Sequence, residues 1–208
     1  MEIYQLKITL QYTQPPVWRR VQAPADIRLD KLHDVIQIAM GWTDSHLHAF
    51  YINGENYGPP GPMSDMSDER KARLGDIVQQ GGRLLYEYDF GDGWVHEIKV
   101  ENISPAEAGA PYPRCLDGAR ACPPDDCGGP PGYQNLLDTL GDPEHPEREE
   151  MLDWLGGEFN PETFDLEQVN KLLRKYFKPA PPKPAGNTPR RTTAKKRSSK
   201  KRAGNKRQ

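Results

Sequence analysis

The chain has 208 residues, 35% of them hydrophobic, with 19 Gly and 21 Pro; against the usual ~45–50% apolar content this predicts many loops or an unpacked segment. No apolar run exceeds four residues (49–52), which excludes a membrane-spanning helix of about 20 residues. The formal charge of −2 hides an asymmetry: residues 178–208 hold 12 of the 28 Lys and Arg and no acid, leaving 16 basic against 30 acidic side chains before them, a net of −14.

The opening Met1-Glu2-Ile3-Tyr4 has neither a basic nor an apolar leader region, so no secretory signal is expected. Three cysteines are an odd number; without a signal they argue against a disulfide framework and for a reducing, cytoplasmic setting.

In chain order, Tyr4, Leu6, Ile8, Leu10 and Tyr12 alternate with mostly polar neighbours, the pattern of a half-buried strand. Pro15-Pro16 interrupts it and 17–21 resumes extended. Leu29, Leu32, Val35, Ile36, Ala39 and Met40 fall at helical spacing, with Gly41 at the position that ends a helix. Residues 46–52 read as a strand, 53–69 as a polar loop, and 70–79 as a short helix or turn. Residues 84–90 and 94–103 form the clearest hairpin, joined by Gly91-Asp92-Gly93. Residues 105–132, with 12 Pro or Gly, read as irregular. Helices are expected over about 134–140, 146–155 and 166–177, the last capped by Asp165. The result is an α+β domain over 1–177 with a mostly antiparallel sheet, one helix after the first strands and a C-terminal helical segment.

Residues 178–208 have alanine as their only apolar side chain and five prolines, too little to offset an ordering cost of about 1–2 kcal/mol per residue. They read as a disordered basic tail. Lys195-Lys196-Arg197 and Lys200-Lys201-Arg202 suit contact with DNA or RNA phosphates. No aromatic residue is interleaved, so base stacking is not on offer.

Several blocks carry a resemblance. They are the opening strand with Pro15-Pro16-Val17-Trp18-Arg19-Arg20-Val21, Gly41-Trp42-Thr43-Asp44-Ser45-His46-Leu47-His48-Ala49-Phe50, Tyr88-Asp89-Phe90-Gly91-Asp92-Gly93-Trp94-Val95-His96, and the block from Cys122 through Cys127-Gly128-Gly129 to Tyr133. Over about residues 2–177, in order, the chain resembles the plasmid pRiA4b ORF-3-like family. The resemblance implies a compact α+β fold and an association with mobile elements, and it carries no reaction.

Two constellations are chemical candidates. Cys115, Cys122 and Cys127 lie in the Pro/Gly-rich stretch, where a structural zinc would organise a loop with little core of its own. A fourth ligand must come from elsewhere, and His96 or His48 qualifies, because strand alternation turns both inward. Asp89 and Asp92 with His46 form a candidate acidic pocket. Asp89-Phe90-Gly91 is not the kinase magnesium element, since the other kinase motifs are missing. The Asp125 to Tyr133 stretch reads as turn residues entering a helix. The four tryptophans are expected in the core, with Trp18 the one that an edge position would expose to a partner.

The expected function is a non-enzymatic binding module. Its acidic body engages a protein or small ligand, and its tail adds nucleic-acid contact. The alternative is a metal-dependent, hydrolytic enzyme built from His46, His48, His96, Asp89 and Asp92.

Overall fold

Alternating side chains build the strands, and the strands meet edge to edge. The structure is a computed structural model that describes residues 1–61 and 65–178. Strands β1 (Glu2–Leu10), β2 (Trp18–Pro24), β3 (His48–Ile52), β4 (Glu55–Gly58), β5 (Ser67–Asp68), β6 (Arg83–Tyr88), β7 (Trp94–Pro105) and β8 (Arg114–Ala119) form one sheet in the order β5-β4-β3-β6-β7-β1-β2-β8. Among the described residues, only β4 and β5 pair in parallel. The helices are α1 (Leu29–Met40), α2 (Leu74–Ile77), α3 (Gly129–Gly141), α4 (Arg148–Leu155) and α5 (Leu166–Tyr176). This is the expected α+β class with a mostly antiparallel sheet. The basic tail, including Lys195, Lys196, Arg197, Lys200, Lys201 and Arg202, lies outside the described residues.

The core sits on one face of the sheet. Tyr4, Leu6, Ile8 and Leu10 of β1, Leu84, Tyr86 and Tyr88 of β6, and Trp94, His96, Ile98 and Val100 of β7 are all buried, as a period of two requires. Strand register sets them in rows: Phe50, Tyr86, His96 and Leu10 run across β3, β6, β7 and β1, and His48, Tyr88 and Trp94 form the next row. The apolar stripe of α1 belongs to the same core. The helix stops at Gly41, whose φ of +103° is in the left-handed region and whose N–H donates to Gln37 O at 2.8 Å. Asp165 caps α5 by accepting from the Gln168 N–H at 2.9 Å.

Four expectations are corrected. β3 begins at His48, so His46 lies in the loop before it; the Leu47 carbonyl accepts from the Asp89 N–H at 2.9 Å and ties that loop to the turn after β6. The stretch 105–132 contains β8, paired with β2 from Gln22 to Trp18. The loop 53–69 contains β4 and β5, and β4 is entered through Asn53 and Gly54, both at positive φ (53° and 86°), the chemistry of a tight hairpin turn. Finally, β2 lies between β1 and β8, so Trp18 is not on an edge strand, while Trp154 is the exposed tryptophan.

Arg19 is buried. Its guanidinium donates to the carbonyls of Ala39 (2.7 Å), Trp18, Ala119 and Arg120 (2.8 Å each) and stacks on Phe164. The rigid five-donor fork lets one side chain join the end of α1 to β2 and β8.

Candidate functional site

The site is built on the covered face, where α1 meets the start of β3. His33 and Gln37 lie one helical turn apart on α1, and both reach the Tyr86 hydroxyl of β6, at 2.8 and 3.0 Å. The Gln37 carbonyl oxygen accepts the Asp44 N–H at 2.9 Å, which fixes its amide as the donor to Tyr86. The Tyr86 O–H therefore donates to His33 Nδ1, and His33 carries its proton on Nε2, toward Asp44 Oδ1 at 2.9 Å. Burial, and then the neighbouring His48, pushes the His33 imidazole below its ordinary value. His48 pairs with Glu69 of the 3₁₀ turn Glu69–Lys71 at 2.8 Å, both side chains being buried. The His33 and His48 rings stack with centroids 3.5 Å apart. These groups open on a cleft of about 480 Å³ lined by Asp30, Lys31, Asp34, Asp44, His46 and Glu69, among others.

Beside this pair, His46 sits between two carboxylates. Its Nδ1 is 3.6 Å from Asp89 Oδ2 and its Nε2 is 3.3 Å from Asp126 Oδ1. Asp44, Asp89 and Asp126 all hold positive φ, at 57°, 56° and 61°, a conformation that Asp tolerates better than most residues. Asp89 Oδ1 accepts the N–H groups of Gly91 and Asp92. The turn therefore locks this carboxylate with Oδ2 toward His46. Asp125, on the adjoining loop, is raised above the usual carboxylate range chiefly by burial.

The other candidates separate. Asp92 is not part of the pocket: its Oδ2 accepts the Gly128 N–H at 3.2 Å. Gly129 follows at φ +68°, where a Cβ would lie 2.3 Å from Asp92 O, so the Cys-rich loop can close on the hairpin only through glycine. His96 is fully buried between Trp42 and Tyr86, with Nδ1 3.2 Å from Tyr86 O and Nε2 without a hydrogen-bond partner. Burial lowers it to about 4. Cys115 Sγ lies 3.5 and 3.4 Å from the Arg20 and Asp117 carbonyls. Burial pushes the Cys122 thiol up, and Cys127 to about 12. Among the described residues, two groups of three His, Cys, Asp or Glu side chains bring their donor atoms within 4.8 Å of one another. They are His33, Asp44 and His48, and His46, Asp89 and Asp126. Neither contains a thiol, so the structure does not gather Cys115, Cys122 and Cys127 with His48 or His96.

Sequence reasoning joined His46 to Asp89 and missed His33, Asp44, Glu69 and Asp126. His33 carried a signal: it lies four residues after Leu29 and three before Ile36, inside the apolar stripe of α1. Glu69 and Asp126 carried none, because tertiary packing alone brings them in.

The sheet order, the single covered face and the histidine–carboxylate cleft at its rim define the class, a one-sheet α+β domain. The chain belongs to the plasmid pRiA4b ORF-3-like family, whose description matches residues 2–168. It is 42% identical over 178 residues to Uncharacterized protein y4hQ of Sinorhizobium fredii (strain NBRC 101917 / NGR234), covering 81% of this chain and 89% of that one. The crystal structure of the protein of unknown function MM3350 from Methanosarcina mazei Go1 matches with a TM-score of 0.77 and 39% identity, over 81% of this chain and 97% of that one.

Proposed function

We propose that the chain is a binding module whose cleft receives a cation, and whose Lys/Arg-rich segment adds sequence-independent contact with nucleic-acid phosphates. The observation that carries the first half is the charge of the cleft. Asp30, Asp34, Asp44 and Glu69 line it; Asp30 is paired with Arg28 and Asp34 with Lys31, and the two remaining carboxylates, Asp44 and Glu69, face histidines only. A unit charge 4 Å from a carboxylate gains or loses about 4 kcal/mol at an effective dielectric of 20. The lining therefore favours a cation and opposes a phosphate or nucleotide. The net charge of −14 over residues 1–177 extends the same sign beyond the cleft and steers cations inward.

The second half rests on charge sorted along the chain. A segment that holds 12 cations and no acid releases counterions from nucleic acid wherever it binds.

Thermal unfolding of the full chain tests the cleft. A ligand at 100 times its Kd stabilises the folded state by about 2.7 kcal/mol. Putrescine should raise the midpoint, inorganic phosphate at equal ionic strength should not, and Asp34→Asn with Asp44→Asn should abolish the rise. Stabilisation by phosphate instead of the diamine would overturn the reading.

A further inference from the structure

His46, Asp89 and Asp126 come from three separate connections: the loop before β3, the turn after β6 and the stretch before α3. One donor atom of each lies within 4.8 Å of the others. One ring nitrogen serves one ion, and the 3.3 Å between His46 Nε2 and Asp126 Oδ1 is close to the roughly 3.4 Å between ligands bound at about 2.1 Å around a tetrahedral ion.

The histidine is also poorly served by the protein alone. His46 Nε2 is sealed from solvent and makes no hydrogen bond, because its approach to Asp126 lacks the required direction. An unpaired buried polar atom is costly, and one on a histidine beside two carboxylates is a mark of a site that an ion or ordered water completes. Asp89 adds preorientation, since the turn holds one of its oxygens and leaves the other for the site.

We propose that His46, Asp89 and Asp126 bind a first-row divalent cation, zinc(II) being the representative ion. One imidazole and two carboxylates form a borderline donor set that suits zinc or manganese better than calcium. Three protein ligands leave a coordination position open to water or to a ligand in the cleft, which His46 also lines. This deepens the cation reading of the cleft and rests on it.

The second convergent group is a worse metal site for a geometric reason. His33 and His48 lie with planes 9° apart and centroids 3.5 Å apart. An ion shared between parallel rings would stand about 1.8 Å off each plane, away from the in-plane lone pairs that make the bond. The rings are also committed to Tyr86, Asp44 and Glu69.

Calorimetric titration of the full chain with zinc chloride, paired with visible absorption of the cobalt(II) complex, tests the proposal. One zinc per chain is expected, with affinity reduced at least tenfold in His46→Ala, Asp89→Asn and Asp126→Asn. Asn tolerates the left-handed backbone at both aspartates, so these variants should fold, and their circular dichroism checks that they do. The triple variant Cys115→Ser/Cys122→Ser/Cys127→Ser should bind as the wild type does. Absence of zinc binding, unchanged affinity in the three site variants, or a thiolate-to-cobalt charge-transfer band would overturn the proposal. Putrescine stabilisation without zinc binding would sink this inference and leave the cleft reading standing; loss of both would sink both.

Discussion

The imidazole of His33 lies flat against that of His48, 3.5 Å away. Two protonated rings at this separation would repel by about 5 kcal/mol at an effective dielectric of 20, so the pair carries at most one positive charge. The hydrogen-bond chain through Gln37 and Tyr86 fixes His33 as the neutral Nε2–H form. Imidazole nitrogen spectra should show that tautomer at neutral pH and a His33 midpoint below the ordinary 6.5. His48→Phe should keep the stack and move the midpoint up. A wild-type midpoint above 6.5 would contradict the network.

His96 predicts acid sensitivity. Its folded value is depressed to about 4 from 6.5 by burial. Between those values the unfolded chain binds a proton that the folded chain refuses, so this contribution is intact above pH 6.5 and is lost as pH falls toward 4. At about 1.4 kcal/mol per unit, the loss is about 3 kcal/mol. Urea unfolding at the two ends of the window should show His96→Gln losing that much less stability than the wild type. Equal losses would show that His96 is not held neutral.

Neighbouring arginines should behave differently. Arg19→Met would strip four carbonyls of their donor, and a buried acceptor left unpaired costs about 1–3 kcal/mol. A loss on the order of 3 kcal/mol is expected, and Arg19→Lys should recover only part of it. Arg20 pairs with the partly exposed Glu101 at 2.7 Å, an arrangement worth about 1 kcal/mol or less. Chemical denaturation of Arg19→Met and Arg20→Met should separate them by at least about 1 kcal/mol.

The basic segment predicts salt dependence. Each phosphate neutralised adds about 0.9 to the slope of log affinity against log salt on duplex DNA. Mobility shifts of the full chain should weaken steeply between low and physiological salt, and deletion of residues 178–208 should remove binding. Equal binding with and without the segment would refute its role.

The regular parts of this fold were legible in the sequence, and the contacts between them were not. The alternation of β1 and β7 and the stripe and glycine stop of α1 appear where expected, because each is set within a few residues. β8 was hidden because Arg114–Ala119 has no clear alternation and gains its order by pairing with β2. Arg19 was hidden because its four acceptors come from α1, β2, β8 and the residue after β8. At the site, His46 and Asp89 were legible together, as two polar groups in blocks that one sheet would bring near. Asp92 was misassigned because turn geometry, not charge, decides where its carboxylate points. Asp126 and Glu69 enter only once the chain has closed on itself.

Nitrogen–proton NMR of the full chain, following backbone amides and histidine rings together, tests the central claim most directly. Titration with zinc and, separately, with putrescine should move resonances of residues 44–48 and Glu69, with the His46 ring responding most strongly to zinc, while inorganic phosphate leaves them in place. Movement of those resonances by phosphate alone, or silence there with both cations, would contradict the account.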